Sequence, residues 1–233
     1  MLDFSLNSVL AVSSSRSRLE PYKIHNVKFE EAKVEEFDGK KDPSQHYKVL
    51  RVRFGNDEGY YDESIFLNLK DEDGVMREFE NSDGTKRYYA SRFDQIKYFM
   101  AQTMTVLNPE GMKKFQEAAT KFRSINDMVK AYIIVMDQVK GAETQLKLMG
   151  KTNQNGNVEA CLPRFLSVNK NKEVFVSSNF VGPKLFFSTY EEGQVNAAKA
   201  AKPTTMPEFD VKDPGTYNKE EKKEEEIDLS DLL

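Results

Sequence analysis

Apolar and polar positions alternate through the first seventy residues, and then the period changes. "YKIHNVKFEEAKVEEF" (residues 22–37) predicts a long strand whose alternation breaks once, the mark of a β-bulge. "DGKKDP" (38–43) predicts a turn. "YKVLRVRFG" (47–55) alternates cleanly: Leu50, Val52 and Phe54 point one way, and Tyr47, Val49, Arg51 and Arg53 the other. "NDEG" (56–59) predicts a hairpin loop. "YYDESIFLNL" (60–69) predicts a third strand, with Ile65, Leu67 and Leu69 toward the core and Tyr60 and Phe66 on the other face. A hydrophilic stretch follows that contains "KRYY" (86–89), expected as loop.

The period then lengthens to that of a helix. Phe93, Ile96, Phe99, Met100, Thr103 and Leu107 recur at helical spacing behind a Ser91/Asp94 capping signal. "NPEG" (108–111) restarts a helix with Asn108 as cap and Pro109 in the first turn. Ser124 and Asp127 cap a third helix that ends at Gly141. Strands resume in "TQLKLMGK" (144–151), "VEACLPRFLSV" (158–168), "EVFVS" (173–177) and "PKLFFSTY" (183–190). The division that follows is an arm over 1–20, a folded domain over 21–190, a disordered linker over 191–223 and a tip, "EEEIDLSDLL", over 224–233. The fold class is mainly β with a helical block, α+β. Three strands, helices, then strands match an OB-fold-like barrel, whose helix sits between strands 3 and 4. A sheet with helices packed on one side is the structural alternative.

Charge adds an asymmetry. The chain of 233 residues carries a net −4, yet residues 191–233 hold 12 acids against 6 bases, leaving 26 against 28 in the rest. A mildly basic body beside an acidic tail suits nucleic-acid interaction, or simply a solvated tail. One cysteine, Cys161, excludes a disulfide framework, and with only His25 and His46 beside it no zinc site is expected. No apolar run approaches a membrane span, and the basic leader of a signal peptide is missing, so a soluble protein of a reducing cytoplasm is expected.

Catalytic signals are weak. "MGKT" (149–152) imitates the end of a phosphate-binding loop, but the required earlier glycine is Gln145. Cys161 has no histidine near it in sequence and reads as an inert thiol. No enzyme, no cofactor and no metal are expected. Binding signals are stronger. Arg51 and Arg53 share a strand face with Tyr47; Tyr60 and Phe66 follow on the next strand; Lys147 stands opposite Leu146 and Leu148; Lys86, Arg87 and Tyr88 repeat the mixture. Cations that follow phosphates, interleaved with rings that stack on bases, suit single-stranded nucleic acid. The competing reading has Phe66 packed under the helices and the arginines paired with acids such as Glu63.

"DPSQHYKVLRVRFGNDEGYYDESIF" (42–66), "LNPEGMKKF" (107–115), "ETQLKLMGKTNQNGNVEACLPRF" (143–165) and "NFVGPKLFFSTYE" (179–191) resemble single-stranded DNA-binding proteins of the crAss-like tailed phages that infect Bacteroidota. The resemblance implies an OB fold, no enzyme activity, a place in phage genome replication or recombination, and the host cytoplasm. It transfers no DNA-contacting residue. Such binders commonly end in an acidic tail with a hydrophobic tip. Here Glu224, Glu225, Glu226, Asp228 and Asp231 supply charge, and Ile227, Leu229, Leu232 and Leu233 supply the anchor for a replication or recombination partner, though the usual terminal proline and phenylalanine are replaced by leucines. For the arm, a plain flexible terminus and self-association along a coated strand through "SSSRSR" (13–18) are both open. The alternative functions are a phage structural or scaffolding protein and a metal-dependent nuclease.

Overall fold

One long strand organises the molecule. The computed structural model describes residues 16–200 except 40 and 41. β1 (Lys23–Asp38) pairs antiparallel with β2 (His46–Gly55) and, over its first six residues, with β6 (Glu143–Thr152). Its register shifts between Phe29 and Glu31, the expected bulge. Val27 and Phe29 are buried before the bulge and Ala32 after it, so the extra residue keeps the apolar face turned inward while the strand bends to serve two neighbours. β3 (Tyr60–Phe66) completes the meander beside β2. The sheet order is β10-β6-β1-β2-β3, where β10 is Val181–Gly182, and β7 (Val158–Cys161) pairs with the far end of β6.

Three helices cover the inner face: α1 (Arg92–Leu107), α2 (Pro109–Ala118) and α3 (Ile125–Asp137). Each begins where a side chain satisfies an orphan N–H. Ser91 accepts from Asp94, Asn108 from Gly111, and Ser124 from Asp127. After α3, Gly141 takes a φ of 85°, which a side chain would resist. The core sits between helices and sheet: Phe99, Met100 and Met104 of α1 with Tyr132 and Met136 of α3, against Phe29, Leu50, Val52, Phe54, Leu146 and Leu148. Each such side chain contributes roughly 1.5–3 kcal/mol by leaving water.

Several expectations change. The sheet does not close: among the described residues β3 pairs only with β2 and β7 only with β6, so the architecture is an antiparallel sheet with helices rather than a closed barrel. "KRYY" is not loop but β5 (Lys86–Tyr89), in a hairpin with β4 (Arg77–Glu80), so a small sheet stands between β3 and the helices. The run 158–168 is two strands, β7 and β8 (Leu166–Val168), because Pro163 lies between them and has no N–H to donate. β8 forms a hairpin with β9 (Val174–Val176). The strand predicted over 183–190 does not form: the two-residue β10 precedes it, and residues 183–188 are irregular. The chain then enters α4 (Thr189–Ala200), so the first ten residues of the expected linker are helical, and Glu191 and Val195 are buried. The end of the expected arm is packed as well. Leu19 is buried, its N–H donates to the Tyr60 carbonyl, and the Tyr60 N–H donates to Ser17. Residues 1–15, 201–223 and the tip over 224–233 lie outside the described residues.

Candidate nucleic-acid interface

The outer face of the β1–β2–β3 half carries no helix among the described residues and falls into two parts. At one end Phe37 of β1 pairs with Tyr47 of β2, and Val49 pairs with Phe66 of β3. The Phe37 and Tyr47 rings lie 5.7 Å apart between centroids, and Tyr47 and Phe66 lie 5.8 Å apart edge to face. Phe37 and Phe66 remain 43% and 41% exposed, so this end presents aromatic surface to solvent. The expected face of Phe66 is therefore correct: it does not pack under the helices. Phe37 was not anticipated. The bulge resets the phase of β1, and only pairing with Tyr47 shows which way the ring points.

The other part of the face is a ladder of charge. Arg53 donates to Asp62 through Nε at 2.6 Å and Nη2 at 3.0 Å, and Arg51 reaches the same carboxylate at 3.5 Å. Arg18 adds a third guanidinium at 3.4 Å. Burial acts to raise the Asp62 carboxyl, but the Arg53 hydrogen bonds and the surrounding guanidinium charges prevail and hold it below the ordinary carboxylate range. Arg51 Nε lies 2.7 Å from Glu35, Arg53 lies 3.7 Å from Glu31, and Lys33 sits between those two acids. The Tyr60 ring lies under Arg18 and Arg53. The arginines are thus paired, as the competing reading held, but with Asp62, Glu31 and Glu35. Glu63 is on the opposite face of β3, where it accepts a short hydrogen bond from Tyr61.

Lys147 requires correction. It stands on the outer face as alternation predicts, but the segment 178–191 covers it, leaving it 3% exposed. Its ammonium donates to Ser178 Oγ at 2.7 Å, to the Phe186 carbonyl at 3.0 Å and to Glu191 Oε2 at 2.8 Å. No part of that ammonium is left for a phosphate.

On β5 the expected cations and rings do stand together. Lys86 is held by Glu78 at 2.6 Å, while Arg87 is exposed and makes no ion pair among the described residues. Lys172 of the β8–β9 hairpin lies 5.2 Å over the Tyr88 ring, and Arg164 lies 4.5 Å over Tyr89. A hydrogen bond from Arg164, followed by its charge, lowers the Tyr89 hydroxyl. Phe79, 53% exposed and 5.3 Å edge to face from Tyr89, extends this second aromatic and cationic cluster, and Phe175 of β9 is 48% exposed. Neither was legible from periodicity, because both hairpins are too short and too solvated to show an inner face.

Chemistry of other kinds finds little. The Cys161 thiol is pushed up by burial and by nearby Glu63, so it is a poor nucleophile. His25 contacts the Glu20 carbonyl, and His46 pairs with Asp38. Among the described residues no three potential metal ligands cluster, and no helix is long and apolar enough to cross a membrane. No family model, no curated protein and no solved structure matches the chain.

Proposed function

We propose that the protein is a non-enzymatic binder of single-stranded DNA. The observation that carries this reading is the aromatic surface formed by Phe37, Tyr47 and Phe66 on a sheet face that no helix covers among the described residues. Exposed rings on a rigid strand pair stack on unpaired bases at about 1–3 kcal/mol each, without regard to sequence. Arg87, Arg164 and Lys172 supply cations for the backbone. The strand order β3-β2-β1-β6-β7, with helices between β3 and β6, supports reading the sheet as an OB-type arrangement left open between its third and last strands. With the sequence resemblance, these features support coating of single strands in phage replication or recombination, in the host cytoplasm. The acidic tip would then recruit partner enzymes.

One observation favours a second reading, a protein-contact module. The central arginines are neutralised by Asp62, Glu31 and Glu35, and a neutral, partly aromatic sheet face also suits a protein partner. Tyrosine fluorescence titrated with poly-dT and with duplex at low and moderate salt separates the two. Quenching by single strands that weakens with salt, with duplex bound less tightly, is the expected result. Absence of single-strand binding at low salt leaves the protein-contact reading.

A further inference from the structure

A strand at the edge of a sheet exposes backbone N–H and C=O groups, and charged side chains usually blunt it. β4 carries Arg77, Glu78 and Glu80, and β3 carries Asp62 and Glu63. β9 carries no charge. Its residues are Val174, Phe175 and Val176, and all stay 41–50% exposed.

The hydrogen bonds of the β8–β9 hairpin show which groups this edge leaves open. The Asn169 N–H donates to the Glu173 carbonyl, and the Ser177 N–H donates to the Phe165 carbonyl. Residues 173, 175 and 177 therefore turn their backbone groups toward β8. Val174 and Val176 turn theirs outward, and among the described residues no hydrogen bond meets them. Water can satisfy those groups, but the apolar side chains beside them gain by leaving it.

The sequence of the edge says what fits it. Val-Phe-Val reads the same in both directions, so an antiparallel copy of itself is its complement. A two-fold axis at Phe175 sets Val174 opposite the second copy's Val176, and each such pair exchanges both its N–H···O bonds. Phe175 then faces its own copy at a position without hydrogen bonds, where side chains approach most closely and aromatic pairs form. The same symmetry keeps like charges apart. Lys170, Lys172 and Glu173 lie before β9, whereas Ser177, Ser178 and Asn179 follow it. Antiparallel pairing lays each charged end beside an uncharged one. Parallel pairing would set lysine beside lysine.

We propose that β9 is a self-association edge, through which two copies of this chain join their β8–β9 hairpins into one four-stranded antiparallel sheet. The inference goes beyond DNA binding and does not rest on it. The contact is short, Val174–Val176 from each copy, so the dimer belongs with weak, reversible associations.

Sedimentation velocity on the full chain, without nucleic acid and from about 10 to about 500 µM, tests this. The wild type is expected to pass from monomer toward dimer across that range. Phe175→Lys sets two cations face to face and is expected to weaken the dimer about tenfold or more. Val176→Pro removes an outward N–H, leaves the β8 ladder intact and is expected to do the same. Thermal unfolding should place both variants near the wild type; should Val176→Pro unfold, the charge variants decide alone. An equal mixture of Phe175→Lys and Phe175→Glu is expected to recover the dimer, because a pairing that sets residue 175 opposite itself joins the two charges. An excess of a peptide corresponding to residues 224–233 is expected to leave the wild-type dimer intact. A wild type that stays monomeric throughout overturns the proposal, as does a dimer that survives in the folded variants or a mixture that stays monomeric. Dispersal of the dimer by the peptide overturns it too, and gives the edge to the acidic tip.

Discussion

Arg51 and Lys147 stand on the same face of the same sheet, and the molecule treats them in opposite ways. Over β1, β2 and β3 the face is open, and Arg51 keeps about a quarter of its side-chain surface in contact with water. Over β6 the segment 178–191 closes down, and Lys147 keeps 4%. Sequence alternation puts both on one side of a strand but carries no information about what returns, forty residues later, to cover it. A cation on an open face can exchange its carboxylate for a phosphate. A buried one cannot, and serves instead to hold down what buries it: Lys147 joins β6 to Ser178, Phe186 and the first turn of α4.

The largest expected effect follows directly. Removing Lys147 leaves the buried Glu191 carboxylate with hydrogen bonds from Ser178 and Ser188 but without its counter-charge, and breaking a buried pair in this way costs about 3–5 kcal/mol. Lys147→Ala should lower stability by that amount in urea unfolding and speed amide exchange in residues 189–200. An Arg51→Ala variant leaves Asp62 still paired with Arg53 and Arg18 and leaves Glu35 in contact with water, and should cost about 1 kcal/mol or less. Equal costs would erase the distinction between the two halves of the face.

Next comes a carboxyl with no cation at all. Glu63 is next to Asp62 in sequence but on the other side of β3. Desolvation, only partly offset by the Tyr61 hydrogen bond, pushes it up from the ordinary 4.5 to about 7. Between those values the folded protein holds a proton that the unfolded chain releases. The Glu63 contribution is therefore most favourable below about pH 4.5 and is lost as pH rises to about 7, a change of about 3 kcal/mol. Glu63→Gln should remove that dependence. The stability difference, variant minus wild type, should grow by about this amount between pH 4.5 and 8. A difference that is flat with pH would mean that the carboxyl is solvated.

How far this was legible in the sequence depends on the kind of information each feature needed. The first three strands, β6, the bulge, the three caps and the inner face of β2 are set by neighbours within a few residues, and alternation or spacing reveals them. The open seam, the cover over Lys147 and the packing of residues 16–20 depend on contacts between distant segments. Leu19 illustrates the limit: one buried leucine in a polar stretch has no period. The pairing of Arg51 and Arg53 was foreseeable in kind but not in partner. The choice between Asp62 and Glu63 depends on which phase β3 adopts, and Tyr61, Ile65 and Leu67 take the inner one with Glu63.

A third prediction breaks the neutrality of the open half. Asp62 holds three guanidinium groups, and its carboxylate is 2% exposed. Asp62→Asn should cost about 1–2 kcal/mol of stability, less than a fully buried pair because the arginines reach solvent. It should at the same time raise affinity for single strands and steepen the salt dependence, since Arg18, Arg51 and Arg53 become available to phosphates. Lower affinity would mean that the ladder positions the arginines for DNA instead of withholding them.

The smallest effect on the fold is expected at the aromatic end, and there the functional consequence is greatest. Phe66 is 41% exposed and Phe37 43%, so each ring is only partly buried, and truncating either to alanine should shift stability by about 1 kcal/mol. Each ring, if it stacks on a base, accounts for about 1–3 kcal/mol of binding, so Phe66→Ala should weaken poly-dT binding by about tenfold or more. The slope of affinity against salt should not change, because no charge is lost, whereas Asp62→Asn changes the slope above all. The Phe37 and Phe66 rings both contact Tyr47, so the double variant should lose less than the sum of the single losses. If Phe66→Ala leaves poly-dT affinity unchanged while an Arg87→Ala variant abolishes it, the interface lies on the hairpins and not on the sheet, and the open face is left for a protein partner.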